Sequence, residues 1–147
     1  MLNMKLGIYR YIGSGSSRKV FDLGNGYVVK VAKNNAGFAQ NKMEYKISST
    51  DTSNLFANVI QASDDFYALV MQKADKINNF SYVSDYFKVR NIAEVLRLKE
   101  FQDIYYKYNL LLNDLRTINN WGIINGRPVI IDYGFTKEIR ERYYSFH

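Results

Sequence analysis

The chain has 147 residues, 47% hydrophobic and 23% charged, enough for one globular core and too few for several domains. It contains no cysteine, and its one histidine is His147. Disulfide scaffolds, thiol nucleophiles, cysteine zinc sites and histidine-clustered metal centres are therefore excluded. The net charge of +6 points to an anionic partner: a nucleotide, a nucleic acid or an acidic protein. No run approaches the roughly 18 apolar residues of a membrane span, and the first five residues lack the apolar run of a signal peptide. A cytoplasmic protein without a membrane partner is expected.

In chain order, the first third reads as strands. Leu6 to Ile12 alternates partly and breaks at Gly13 to Ser17. Val20 to Leu23 and Tyr27 to Ala32 flank Gly24, Asn25 and Gly26, which signals a hairpin. Gly37 to Ser48 reads as a helix with Phe38, Met43 and Ile47 on its buried side. Apolar runs follow at Phe56 to Ala62 and Phe66 to Met71, separated by Ser63, Asp64 and Asp65. From Val83 to about Leu112 the pattern predicts one long helix, with Ile92, Val95, Leu96, Ile104 and Tyr108 on a single face. After a polar stretch from Asn113 to Asn120, a second hairpin pairs Trp121 to Ile124 with Pro128 to Asp132 across Asn125, Gly126 and Arg127. Thr136 to Phe146 reads as a terminal helix, with Thr136 as its cap. The fold class is α+β.

Three clusters could carry chemistry. Gly13, Ser14 and Gly15 sit between strands, where bare backbone can come close to a phosphate. Lys30 lies inside an apolar strand, where its ammonium needs an anion, and Glu44 on the next helix could reach it. Asp114 and Asn119 stand five residues apart, and Asp132 closes a run of three β-branched residues ahead of Tyr133 and Gly134. Two carboxylates and an amide make an oxygen site suited to Mg²⁺ bound together with phosphates. Taken singly, each cluster is also what an ordinary loop, an outward-facing strand or a turn would contain.

Together and in this order, they resemble the protein-kinase-like fold, whose signature runs from a Gly-rich loop through a strand lysine and a helix glutamate to a catalytic loop and a metal-binding Asp-x-Gly. Gly13, Gly15 and Val20 match the loop; Lys30 matches the lysine and Glu44 its partner. Asp114 and Asn119 match the catalytic loop, Asp132 to Gly134 match the metal motif, and Phe66 to Lys73 is similar to the strand that reaches the adenine through Met71. The resemblance implies a single kinase-like domain over residues 1–147, with an antiparallel N-lobe sheet and one helix in about 1–73 and a reduced helical C-lobe in about 74–147. It implies ATP held between the lobes, the Gly13–Gly15 loop covering phosphates that Lys30 contacts, and Mg²⁺ on Asn119 and Asp132. Asp114 would take the proton of an attacking hydroxyl.

Departures from the pattern are informative. Arg18 stands where a third loop glycine is usual, and Asn113 replaces the residue that normally precedes the catalytic aspartate. The pair Asn119 and Asn120 leaves the amide's register open, and Asn120, Trp121 and Gly122 resemble a tripeptide of some bacterial and phage kinase-like proteins. After Gly134 only 13 residues follow, too few for an ordinary activation segment and substrate-binding helices, so a minimal, C-terminally truncated form is expected. The expected activity is phosphate transfer to a protein hydroxyl. A pseudokinase-like module that binds a host protein without catalysis is the alternative. Nucleic-acid binding is least favoured, because Lys42, Lys46, Arg90, Arg97, Lys99, Arg140 and Arg142 are scattered along the chain.

Overall fold

A computed structural model describes residues 9–144. The Leu6–Ile8 part of the first expected strand, the end of the terminal helix and His147 lie outside the described residues. The chain divides into two units, Met1–Thr50 with Ala57–Lys73, and Asp51–Phe56 with Ala74–His147.

The first unit is a five-stranded antiparallel sheet ordered β1-β2-β3-β5-β4, with one helix. Its elements are β1 (Arg10–Ser14), β2 (Arg18–Asp22), β3 (Tyr27–Ala32), α1 (Asn35–Thr50), β4 (Val59–Ala62) and β5 (Ala68–Gln72). β1 runs on through Gly13 and Ser14, which were expected in the loop, after an irregularity between Tyr11 and Gly13. Residues 15–17 alone make the turn, closed by the Gly15 N–H donating to the Arg18 carbonyl at 2.9 Å. Between β2 and β3, Gly24 and Gly26 adopt φ of 80° and 90°, conformations costly for any residue with a Cβ.

β3 is central, pairing with β2 on one side and β5 on the other, and Val28 to Ala32 are all buried. Val29 and Val31 pack with Ala68 and Val70 on one face. Lys30 therefore points to the other face, in one row with Val20 on β2 and Leu69 on β5. α1 begins where the Asn34 side chain accepts the Gly37 N–H at 3.0 Å, and it is two residues longer at each end than expected. Its inward face also differs. Ile47 is buried as expected, but Phe38 and Met43 are only half-buried, and Ala36, Gly37, Gln40, Asn41 and Glu44 complete the contact. The helix docks through hydrogen-bonding groups, so a reading based on apolar spacing misplaces its face. Phe56, expected to open β4, groups instead with the second unit, where it bridges Ile130.

The second unit holds β6 (Asp75–Lys76), β7 (Trp121–Ile124) and β8 (Arg127–Ile130) in one antiparallel sheet. Its helices are α2 (Ser81–Tyr86), α3 (Ile92–Val95), α4 (Lys99–Lys107), α5 (Leu112–Leu115) and α6 (Lys137–Tyr144), with a 3-10 turn at Ile118–Asn120. The single helix expected from Val83 to Leu112 is thus three short ones. Lys88 takes a positive φ of 60°, and extended Asn91 caps α3 by accepting the Glu94 N–H. Leu98 is extended again, and Asn109 leaves the helical region at φ 54°. Val95, Leu96 and Ile104 are buried as their spacing suggested, but not on one continuous helix. Trp121 and Phe101 centre the core, with ring centroids 5.8 Å apart. The turn between β7 and β8 has positive φ at both Asn125 and Gly126, the two-residue form that matches strand twist.

Gly37 sets how closely α1 approaches the sheet. A Cβ there would clash with the Ser17 carbonyl oxygen and lie 3.0 Å from the Ala32 backbone. Gly37→Ala should cost about 1–3 kcal/mol by overpacking, measured by urea unfolding; an unchanged midpoint would refute this account of the docking.

Candidate functional site

In the first unit, strand pairing sets the site residues side by side. Antiparallel partners share a face, so Val20, Lys30 and Leu69 form one row, Asp22, Val28 and Met71 the next, and Arg18 with Ala32 the row on the other side. α1 then brings Asn41 and Glu44, three residues apart on one helix face, over Arg18 and Lys30. The Lys30 ammonium donates to Glu44 Oε1 at 2.8 Å. Arg18 donates to both oxygens of the same carboxylate, at 2.8 Å to Oε1 and 3.0 Å to Oε2, and to Asn41 Oδ1 at 3.1 Å. The Asn41 amide donates in turn to the carbonyls of Phe66 at 2.8 Å and Tyr67 at 3.3 Å.

Glu44 is fully buried. Burial is the largest influence on its carboxyl and pushes the pKa up; the charges of Arg18 and then Lys30, with their hydrogen bonds, outweigh it and hold the pKa well below the usual carboxylate range. The group is thus an anion throughout the neutral range.

The turn beside this pair is pinned from below. Lys33 donates to Ser14 Oγ at 3.2 Å and to the Gly15 carbonyl at 2.9 Å, and Asn34 donates to the Ser16 carbonyl at 3.1 Å. Gly13 and Gly15 have no positive φ, and a Cβ on either would meet nothing within 4 Å.

In the second unit, Asp114 lies on α5 and Asp132 two residues beyond β8. The loop between α5 and β7 closes on three successive carbonyls. Thr117 Oγ1 donates to Asn113 at 2.8 Å; the Thr117 N–H and Asn120 Nδ2 each donate to Asp114 at 3.1 Å; Trp121 Nε1 donates to Leu115 at 2.9 Å. Asn120 is therefore the amide tied to Asp114, whereas Asn119 is exposed. Burial, followed by the negative charge of Asp132, raises the Asp114 carboxyl to about 6, and Arg140 on α6 opposes them.

No group of three or more acidic or histidine side chains that could cage a metal occurs among the described residues. The Asp132 charge disfavours ionisation of Asp114, so a cation placed beside Asp114 would relieve a repulsion.

Some participants were not legible as such in the sequence. Arg18 read only as a departure from a usual glycine and Arg140 only as one of the scattered basic residues, while Asn41 and Lys33 were not singled out. Two-residue strand spacing from Val20 and three-residue helix spacing from Glu44 are the signals that could have found Arg18 and Asn41.

The chain matches no protein-family model and no curated protein. Among solved structures it is similar to the crystal structure of the Mycobacterium tuberculosis PknI kinase domain, with a TM-score of 0.52, 17% identity, and 92% of this chain matched to 63% of that one. A second crystal structure of that domain gives 0.52 at 18% identity, with coverages of 91% and 62%. The streptomycin-ATP-APH(2")-IIa ternary complex gives 0.49 at 18% identity, with 91% and 72% covered. This chain thus has a protein-kinase-like fold and spans about 63% of the length of the PknI kinase domain.

Asp114 supplies a test without any ligand. A raised folded pKa means the folded chain binds this proton more tightly than the unfolded chain. Stability is therefore fullest below about pH 4 and is lost as pH rises towards about 6. Asp114→Asn should stabilise the protein at pH 7 by an amount on the order of 1 kcal/mol, after discounting for the solvent screening of a half-buried group. The gain should vanish by pH 4 in urea titrations. Equal stabilities at pH 7 would count against the strained carboxyl.

Proposed function

We propose that the chain binds ATP with Mg²⁺ and transfers the terminal phosphate to a hydroxyl group, the acceptor being a protein. The observation that carries this reading is the Lys30–Glu44 pair at 2.8 Å, buried on the sheet face that also presents Val20 and Met71. An ammonium held there by an ionised carboxylate is oriented towards phosphate oxygens. Half-buried Val20 offers apolar surface to the base, and Gly13 and Ser14 at the end of β1, with Gly15 in the turn, offer backbone that phosphates can approach closely.

Asp114 takes the proton of the acceptor hydroxyl as its oxygen attacks the terminal phosphorus, and ADP leaves. A carboxyl near 6 is mostly ionised at neutral pH yet basic enough to accept that proton. Asp132 and an amide of the Asn119–Asn120 pair would hold Mg²⁺, with Asn120 favoured because its Nδ2 bond to Asp114 sets its oxygen on the amide's opposite edge. The ion would supply neutralisation of phosphate charge. Neither cysteine nor histidine is needed, in keeping with the composition.

A second reading, an interaction module that binds a partner without catalysis, draws support from a groove of about 220 Å³ on the second unit. Leu96, Phe101, Tyr105, Leu112 and Leu115 line it, and the largely exposed Tyr106 stands at its edge.

Thermal unfolding with and without Mg-ATP tests the site. At a hundredfold excess over Kd, binding adds about 2.7 kcal/mol, a rise of roughly 5–10 °C for a chain of this size. The rise should be absent in Asp132→Asn and Lys30→Met; no rise in the unaltered protein overturns the proposal. Labelled phosphate transfer then separates the two readings, with Asp114→Asn expected to lose roughly 100-fold or more.

The loop glycines give an independent check. Gly13→Ala and Gly15→Ala should leave the fold unharmed, or firmer by up to about 1 kcal/mol, while reducing the Mg-ATP thermal shift. A shift of undiminished size would remove the turn from the site.

A further inference from the structure

The Arg18 guanidinium is a buried charge of the first unit to which the proposed function gives no task. It is only 6% exposed, and it stands where the kinase-like pattern usually has glycine, a residue that cannot hydrogen-bond through a side chain. β2 pairing places it one row from Lys30 on the same sheet face. α1 places Asn41 and Glu44 over both.

The geometry of the shared carboxylate separates the tasks of the two cations. Lys30 meets Oε1 at 2.8 Å, and Arg18 Nη1 meets that same oxygen at 2.8 Å. Arg18 Nη2 reaches Oε2 at 3.0 Å, completing a two-point fork, and Nη1 also donates to Asn41 Oδ1 at 3.1 Å. An ammonium is a rotating point charge and does not fix the plane of a carboxylate; a planar guanidinium bound at both oxygens does.

A second consequence concerns charge. A buried carboxylate that loses its counter-ion is strongly destabilising. If Lys30 turns towards a phosphate oxygen, Arg18 keeps Glu44 compensated, so Lys30 can move without stranding the anion beneath it.

We infer that Arg18 is a positioning residue, which fixes the plane of Glu44 so that Oε1 stays presented to Lys30 and Lys30 is kept available for an anionic ligand. The inference rests on the proposed nucleotide-binding reading for the identity of that ligand. The fork, and its effect on Lys30, can be tested without any nucleotide.

The readout is the Lys30 side-chain ammonium, followed by NMR in protein labelled with ¹⁵N-lysine and assigned by its disappearance in Lys30→Met. A buried, ion-paired ammonium exchanges its protons slowly enough to be observed near neutral pH. Arg18→Gly removes the side chain, and Arg18→Lys keeps the charge but removes the fork; circular dichroism and cooperative unfolding establish that each is folded. In both, the Lys30 resonance should vanish or its proton exchange accelerate at least tenfold, although Lys30 and Glu44 are unchanged. A resonance as slowly exchanging as in the unaltered protein in both variants overturns the inference. Persistence in Arg18→Lys alone also overturns it, because Arg18 would then be only a counter-charge. Arg18→Gln, which lacks the charge and the fork, replaces Arg18→Gly if that variant does not fold. Failure of Mg-ATP to bind the unaltered protein would sink the proposed function while leaving the ammonium result to decide the role of Arg18.

Discussion

A carboxylate with no access to solvent governs the first unit. Isolated in a protein interior, an ionised glutamate would cost several kcal/mol. Glu44 is tolerable there because β2 contributes Arg18 and β3 contributes Lys30, both within 3.0 Å. Three elements distant in sequence are thereby coupled: a change in the position of α1 strands an anion, and a change in β2 or β3 strands a cation. Asn41 extends the coupling to the turn before β5 through the Phe66 and Tyr67 carbonyls. The helix is held by directional bonds as well as by apolar contact, which fixes its rotation and not only its proximity. Gly37 permits this by letting the helix backbone approach Ser17 and Ala32 as closely as those bonds require.

Asp114 in the second unit is in the opposite situation. There the Asp132 charge and burial work together against ionisation of Asp114, and Arg140 offsets them only in part. The loop bearing Asp114 is nonetheless closed tightly, with consecutive carbonyls taken by Thr117, Asn120 and the buried indole of Trp121. A rigid loop that holds a carboxyl in an unfavourable state is not what stability alone would select. Perturbed titration of this kind clusters at functional sites. Around Glu44 the charges are matched and the cluster favours folding; around Asp114 like charges meet, and folding tolerates them.

How much of this was readable beforehand depended on the range of the interactions. Hairpins were legible, because Gly24, Gly26, Asn125 and Gly126 announce positive φ within a few residues. The α+β class followed from the order of strand-like and helix-like runs. The stretch from Val83 to Leu112 was misread as one helix because its apolar spacing is nearly continuous, while the breaks are made by Lys88, Asn91, Leu98 and Asn109, none of which is a strong breaker by type. The inward face of α1 was misread for a related reason. Periodicity detects apolar contact, and this face is bound through Gln40, Asn41 and Glu44. Arg18 was hidden most deeply: its meaning depends on strand register and on a helix more than twenty residues away, and by residue type alone it was one more basic side chain.

The glycines sharpen the distinction between what the fold requires and what it leaves over. Gly24, Gly26 and Gly126 are needed for their backbone angles, and Gly37 and Gly122 because a Cβ would strike neighbouring atoms. Gly13 and Gly15 satisfy neither condition, since their angles suit any residue and the space around them is open. Glycine in such places costs conformational entropy on folding and returns no packing. The same turn is nevertheless held down at Ser14, Gly15 and Ser16 by Lys33 and Asn34, so it is not simply an unconstrained tip. The turn is thus anchored, the space a Cβ would take at Gly13 and Gly15 is open, and Gly13 pairs with Val20, the strand partner of Lys30. That is the physical content of the proposed phosphate contact, and it rests on geometry independent of the ion pair beneath it.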